Sequence, residues 1–247
     1  MIENPFINLG IDFSADSELE IYRATTLFTK EPETIAWIDS WKESDNSCFY
    51  DVGANIGIYS FYASAKHRSL RVLAMEPESK NYTALCRNNL QNSKFCVEPF
   101  RFAISDSTGI IKLAVTDERV GNSNSQIDIT ESHSTQNIPP VRFDSVLCTS
   151  IDFLVKEMNF PTPNYLKIDV DGHESSILKG ASEVMKNTEL KTLLVEFNDL
   201  SSFQYWSSTL KNFGLEIDDS FDQVVGHSTD RRKSNGTEMR NVIFSRR

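Results

Sequence analysis

This 247-residue chain has no CxxC pair, no Cys/His cluster at metal-ligand spacing and no apolar run long enough to span a bilayer. The first two absences leave neither a zinc site nor a disulfide framework to expect. The four cysteines, Cys48, Cys86, Cys96 and Cys148, read as buried thiols in a reducing compartment. The third excludes a membrane-spanning helix. The opening MIENPFINLGIDF lacks a basic region followed by an apolar stretch, so the reading is cytoplasmic. Basic charge is also scarce. Lys and Arg number 25 against 35 Asp and Glu, the formal net charge is -10, and Arg231-Arg232-Lys233 is the one basic run. A phosphate-backbone footprint is not expected, so nucleic acid and anionic membranes are poor partners and small or neutral substrates fit better.

A composition of 39% hydrophobic and 24% charged residues is ordinary for a globular protein, and one domain over 1–247 is the expectation. Residues 19–22 read as a strand, and Pro32 in a first turn with Glu31 and Glu33 marks a helix start, so 1–47 is read as a strand-and-helix cap. Beyond it, strands and helices alternate. Strands are expected at 49–52, 71–75, 97–104, 110–115, 141–147, 165–169, 192–197, 215–217 and 242–245. Helical faces are carried by Ile58, Phe61 and Tyr62; by Tyr82, Leu85 and Leu90; by residues 150–158; by Ile177, Leu178, Ala181 and Val184; and by Phe203, Trp206, Leu210 and Phe213. Such alternation predicts a mostly parallel sheet covered on both faces, with ligands at the carboxyl ends of its strands. Residues 117–140 are rich in Ser, Asn, Thr, Gln and Asp and read as one long loop, a candidate cover. Trp37 and Trp41 read as packing residues.

The stretch FYDVGANIG, residues 49–57, runs a strand into a glycine turn with Asp51 at its mouth. Positions three and six from Gly53 are Asn55 and Ile58, so the dinucleotide fingerprint G-x-G-x-x-G is missing, and no G-K-[ST] follows for a P-loop. What remains is a turn that admits close backbone approach, with a carboxylate suited to a cationic amino-acid-like group. The next strand ends in Met75-Glu76-Pro77, where Glu76 is placed to accept hydrogen bonds from the two hydroxyls of a ribose. Together these features have the layout of an S-adenosylmethionine site.

The motifs FYDVGANIGIYSFYAS, AMEPESKNYTALCRNN, AISDSTG, LKIDVDGHESSILKGA and NVIF, in this order, resemble the FkbM family of S-adenosylmethionine-dependent methyltransferases. The resemblance implies the class I methyltransferase fold, a Rossmann-like three-layer α/β sandwich whose seven-stranded sheet has an antiparallel last strand. It also implies methylation of hydroxyl oxygens on sugars, glycolipids or natural products. Carried over residue by residue, Asp51, Gly53, Asn55 and Gly57 match the first cofactor loop, Glu76 the ribose acid, and Ser105 with Asp106 the region beside the adenine.

The densest chemical cluster is Lys167-Ile168-Asp169-Val170-Asp171-Gly172-His173-Glu174. Alternation puts Lys167 and Asp169 on one strand face, with Asp169 at the tip. Three readings stand open there: Asp171 and Glu174 as helix-start acids, His173 or Asp169 as a general base for an acceptor hydroxyl, and a divalent metal on these oxygens and the imidazole. The expectation is catalysis by Asp169 and His173 without metal, on a small-molecule or glycan acceptor. Rival readings are a nucleic-acid or protein methyltransferase, although no Asn-Pro-Pro-[Tyr/Phe] tetrad is present, and a silent cofactor-fold binding module.

Overall fold

The computed structural model describes residues 6–13, 15–42, 44, 46–123, 125–127, 139–221 and 240–246. Seven strands form the main sheet: β1 (Cys48–Val52), β2 (Arg71–Met75), β3 (Val97–Phe100), β8 (Tyr165–Ile168), β9 (Thr192–Phe197), β10 (Leu215–Ile217) and β11 (Arg240–Arg246). Their order is β10-β11-β9-β8-β1-β2-β3, and β11 alone runs antiparallel, pairing with β9 and β10. That is the topology the family resemblance implies.

Strand residues alternate between two buried layers. Phe49, Val72 and Ala74 join one hydrophobic cluster, while Tyr50, Leu73 and Met75 join the other. The first layer is closed by α3 (Pro32–Asp39), α4 (Ile58–Lys66) and α5 (Ser79–Gln91), through residues such as Trp37, Phe61 and Leu85. The second is closed by α6 (Ile151–Lys156), α7 (Glu174–Lys179), α8 (Ser182–Lys186) and α9 (Leu200–Asn212), through Leu154, Ile177, Val184 and Trp206. Both faces of the sheet are thus buried, as a parallel sheet requires. Trp37 and Trp41 are core residues. Trp37 Nε1 donates to Thr192 Oγ1 at 2.9 Å, and Trp41 stacks on Tyr165 with ring centroids 4.1 Å apart.

Several expectations need correction. Residues 19–22 are helical, inside α1 (Glu18–Thr25), followed by α2 (Leu27–Lys30). Ser17 caps that helix: its Oγ accepts from Glu20 N–H at 3.2 Å, and the acids Glu18 and Glu20 sit at the positive end of the dipole. Residues 97–104 are two strands. β3 stays at the edge of the main sheet, where Pro99 is tolerated, and β4 (Ala103–Ile104) leaves it. With β5 (Gly109–Val115), β6 (Gln126–Ile127) and β7 (Arg142–Thr149), β4 forms a second sheet of order β4-β7-β5-β6. The single helical face expected across Ile177–Val184 breaks at Gly180, where a Cβ would lie 2.2 Å from the Ser105 carbonyl oxygen. Only Cys48 and Cys148 are buried. Cys86 is half-buried and Cys96, in the turn that enters β3, is exposed; none of the four is in a disulfide.

Among the described residues no helix is long and apolar enough to cross a membrane. Residues 124 and 128–138 of the expected loop, and the basic run 231–233, lie outside the described residues.

Candidate active site

At the tip of β1 the chain turns without side-chain bulk. Gly53 N–H and Ala54 N–H both donate to the Met75 carbonyl at 3.0 Å, which ties this turn to the end of β2. Gly53 has φ +83°, and a Cβ there would sit 1.9 Å from the Asp169 carbonyl oxygen. Glycine is therefore required by the approach of β8, whatever ligand the turn also admits. Gly57, at φ +90°, caps α4 and fits against Leu85 and Phe61, away from the cavity described next. Asn55 occupies the left-handed region at φ +54°, a conformation asparagine tolerates.

A cavity of about 220 Å³ opens at the carboxyl ends of β1, β2, β8 and β9, the position expected for ligands of such a sheet. At one end is Glu76. Its Oε2 accepts from Asn55 N–H at 2.8 Å and its Oε1 from Glu78 N–H at 2.9 Å, so each oxygen keeps a lone pair for a further donor. Burial raises the Glu76 carboxyl to about 7, against the two backbone donors. Apolar walls come from Val52, Met75, Phe102, Ala103, Ile104, Leu113 and Ile127.

The 117–123 segment crosses this end as a strap. Asn81 Oδ1 accepts from Gly121 N–H at 2.8 Å, and the Asn122 carbonyl accepts from Asn55 Nδ2 at 2.8 Å and Asn81 Nδ2 at 3.0 Å. Ser17 Oγ donates to the Val120 carbonyl at 2.9 Å, and Arg23 Nε to that of Gly121. Asn122, Ser123, Ser125 and Ile127 line the cavity, so the first part of the expected cover does lie over it.

The other end is charged. Asp169, one residue past β8, accepts from Lys167 Nζ at 2.7 Å and shares a hydrogen bond with Glu196 of β9. Burial pushes the Asp169 carboxyl up, but Lys167, the bond to Glu196 and Lys30 outweigh it and hold the group well below the usual carboxylate range. Lys30 and Glu31, from the junction of α2 and α3, also line this end. Their side chains meet at 2.7 Å, and Tyr59 OH donates to Glu31 Oε2 at 2.9 Å.

Asp51 stands behind this cavity and does not line it. Its carboxylate accepts from Ser60 Oγ at 2.6 Å and lies 4.0 Å from Lys167 Nζ; burial raises its carboxyl above the ordinary value. Ser105 and His173 meet each other, Oγ to Nε2 at 3.0 Å, and neither lines the cavity. Asp106 follows Ser105 outside it as well. Glu174 is buried; its Oε1 accepts from Gly172 N–H at 2.9 Å and Asn198 Nδ2 at 3.1 Å, which fixes the turn that precedes α7. Among the described residues no group of three or more His, Cys, Asp or Glu has the arrangement of a metal site.

Residues 51–231 match the methyltransferase FkbM domain. The chain belongs to the FkbM family of methyltransferases. As an FkbM domain it is S-adenosylmethionine-dependent, and its sheet order is that of the class I methyltransferase fold. It is 27% identical over 175 residues to the hexuronic acid methyltransferase AglP of Haloferax volcanii, covering 71% of this chain and 66% of that protein. It is 25% identical over 151 residues to methyltransferase 1 of Beauveria bassiana, covering 56% and 60%. The chain thus spans two thirds or less of the length of these relatives. Among solved structures, the METTL16 methyltransferase domain superposes with a TM-score of 0.54 at 11% identity, covering 97% of this chain and 90% of that one, a likeness of fold alone.

Sequence reading missed Arg23, Lys30, Glu31 and Glu196 as lining residues of the cavity. Glu196 had a usable signal, since it stands near the carboxyl end of a strand recognised as buried. Arg23 and Lys30 sit in amino-terminal helices and Glu31 at the junction between two of them, where the sequence signals a helix start and no chemistry.

Proposed function

We propose that this chain is an O-methyltransferase that transfers the methyl group of S-adenosylmethionine to a hydroxyl of a sugar, glycan or glycolipid, or small natural product. The observation that supports this most is one cavity with two chemically distinct ends. Glu76, with a spare lone pair on each oxygen beside apolar walls, suits a ribose and its base. Asp169, ionised and half-buried at the opposite end, suits an acceptor hydroxyl. The hexuronic acid named for the archaeal relative favours a sugar as acceptor.

When bound, the donor supplies a methyl group on a positively charged sulfur that leaves as a neutral thioether. Asp169 accepts the hydrogen bond of the attacking hydroxyl and takes its proton as the oxygen is alkylated. An oxygen bearing a new methyl group and its old proton is strongly acidic, so a carboxylate held at low pKa is base enough. Lys167 keeps Asp169 ionised and in place at 2.7 Å. The strap 117–123 and the amino-terminal helices exclude water, and alignment of the two reactants then supplies much of the acceleration. His173 is bonded to Ser105 and off the cavity, which favours a supporting role for it over that of base.

The test is transfer of labelled methyl groups to a panel of neutral sugars, hexuronic acids, glycolipids, hydroxylated small molecules, RNA and protein. Label in a sugar or small-molecule fraction, in a base-stable ether, is the expected result. Label confined to RNA or protein, or a base-labile ester, would overturn the hydroxyl reading.

A further inference from the structure

Among the described residues five acids face the cavity, Glu31, Glu76, Asp169, Asp171 and Glu196, against two cations, Arg23 and Lys30. Lys30 is already engaged, with its ammonium 2.7 Å from Glu31. Arg23 is held by its inner nitrogen only, Nε donating to the Gly121 carbonyl, and among the described residues its Nη1 and Nη2 make no hydrogen bond. The outer edge of a guanidinium is a planar pair of donors matched to a carboxylate. An anion that enters this cavity is met most favourably at such a group.

S-adenosylmethionine brings an α-ammonium and an α-carboxylate on its methionine part. The ammonium is compatible with the acids; the carboxylate needs a cation. Arg23 stands at the donor end because the peptide it grips, Gly121–Asn122, is the one tied to Asn55 and Asn81. Its charge also bears on Glu76, the ribose acid, which it pulls downward. We propose that Arg23 binds the α-carboxylate of the donor through Nη1 and Nη2, so that helix α1 reads the amino-acid half of the cofactor while Glu76 reads the ribose. The inference rests on the donor reading above.

The same geometry assigns Arg23 a second effect. Its Nε bond to Gly121 couples donor occupancy to the strap, because a carboxylate at the outer edge fixes the guanidinium that holds the 117–123 segment.

S-adenosylhomocysteine carries the α-carboxylate and 5′-methylthioadenosine lacks the whole amino-acid part, so calorimetric titration of both into wild type, Arg23→Gln and Arg23→Lys separates the possibilities. Arg23→Gln should weaken S-adenosylhomocysteine by about 10- to 100-fold, the loss expected for charge-assisted hydrogen bonds, and leave 5′-methylthioadenosine within about twofold. Arg23→Lys, which keeps charge without the fork, should fall between. Equal loss for both ligands would mean that the strap had merely loosened, and no loss for either would mean that Arg23 serves another anion; each overturns the inference while the donor site stands. Wild type that binds neither ligand would sink the donor reading itself and the inference with it.

Discussion

The ammonium of Lys167 lies 2.7 Å from Asp169 Oδ2 and 4.0 Å from Asp51 Oδ1, so one buried lysine serves an acid in the cavity and an acid behind it. Asp169 is ionised because of that pair. Asp169→Asn should lower the single-turnover rate by about 10² to 10⁴, the usual weight of a positioned base, with S-adenosylhomocysteine affinity little changed. His173→Asn should cost less than about threefold in the same assay. Equal losses in the two variants would return His173 to the role of base.

The pair also sets an acid limit on stability. A carboxyl whose folded pKa is depressed contributes stability above its unfolded value, about 4, and loses it as the pH falls further. Wild type should therefore show a drop in urea midpoint below about pH 4 that is smaller in Asp169→Asn. Parallel midpoint curves from pH 6 down to 2.5 would remove the pair from the account.

Donor binding should depend on pH through Glu76. Burial holds its carboxyl at about 7 in the free protein, and ribose hydroxyls donate best to the ionised form. Affinity for S-adenosylhomocysteine should rise from pH 6 to 8, with release of a proton on binding, and Glu76→Gln should abolish both. Calorimetry in two buffers of different ionisation enthalpy reads the proton directly, and no proton release at pH 6 would contradict the assignment.

Two glycines with positive φ make an internal control. Gly53→Ala adds backbone strain of about 1–3 kcal/mol and overpacking of about 1–3 kcal/mol, because its Cβ would meet the Asp169 carbonyl. Gly172→Ala, where a Cβ meets nothing within 4 Å, adds the strain alone. Urea titration should rank Gly53→Ala as the less stable variant, and the reverse order would show that β1 and β8 tolerate separation.

Asn81→Ala removes both bonds to the strap. Each buried amide partner lost costs about 1–3 kcal/mol, most of it local to the segment. Hydrogen exchange at Gly121, read by mass spectrometry, should quicken while exchange in β1 and β2 stays slow. Unchanged protection at Gly121 would assign the strap to other anchors.

Much of this was legible from pattern alone. Alternating apolar strands named the sheet and Pro32 named a helix start; Asn55 and Glu76, singled out separately through the family resemblance, meet in the structure, N–H to Oε2 at 2.8 Å. The missed helix at Glu18–Thr25 had a local signal in Ser17 and Glu20, outweighed by the short apolar look of Leu19-Glu20-Ile21-Tyr22. Other features had no local signal. Position 180 admits only glycine because the Ser105 carbonyl, 75 positions away in the chain, lies against it, and the pairing of His173 with Ser105 depends on the same docking. Arg23, Lys30 and Glu31 reach the cavity only because the amino-terminal helices fold across strand tips that lie far along the sequence. Tertiary placement, not motif, made them lining residues.

Among the described residues the second sheet shares no hydrogen-bonded ladder with the first, yet Leu113 and Ile127 of that sheet wall the cavity. The backbone bonds that shape the donor turn, from Gly53 and Ala54 to Met75, lie wholly within the main sheet. One wall of the pocket thus belongs to a sheet that the donor turn does not need for its own backbone bonds, while the strap between β5 and β6 ties that wall to Asn55, Asn81 and Arg23. Two separate sheets are thereby coupled at the donor end of the cavity by the side chains of Asn55, Asn81 and Arg23 on one short strap.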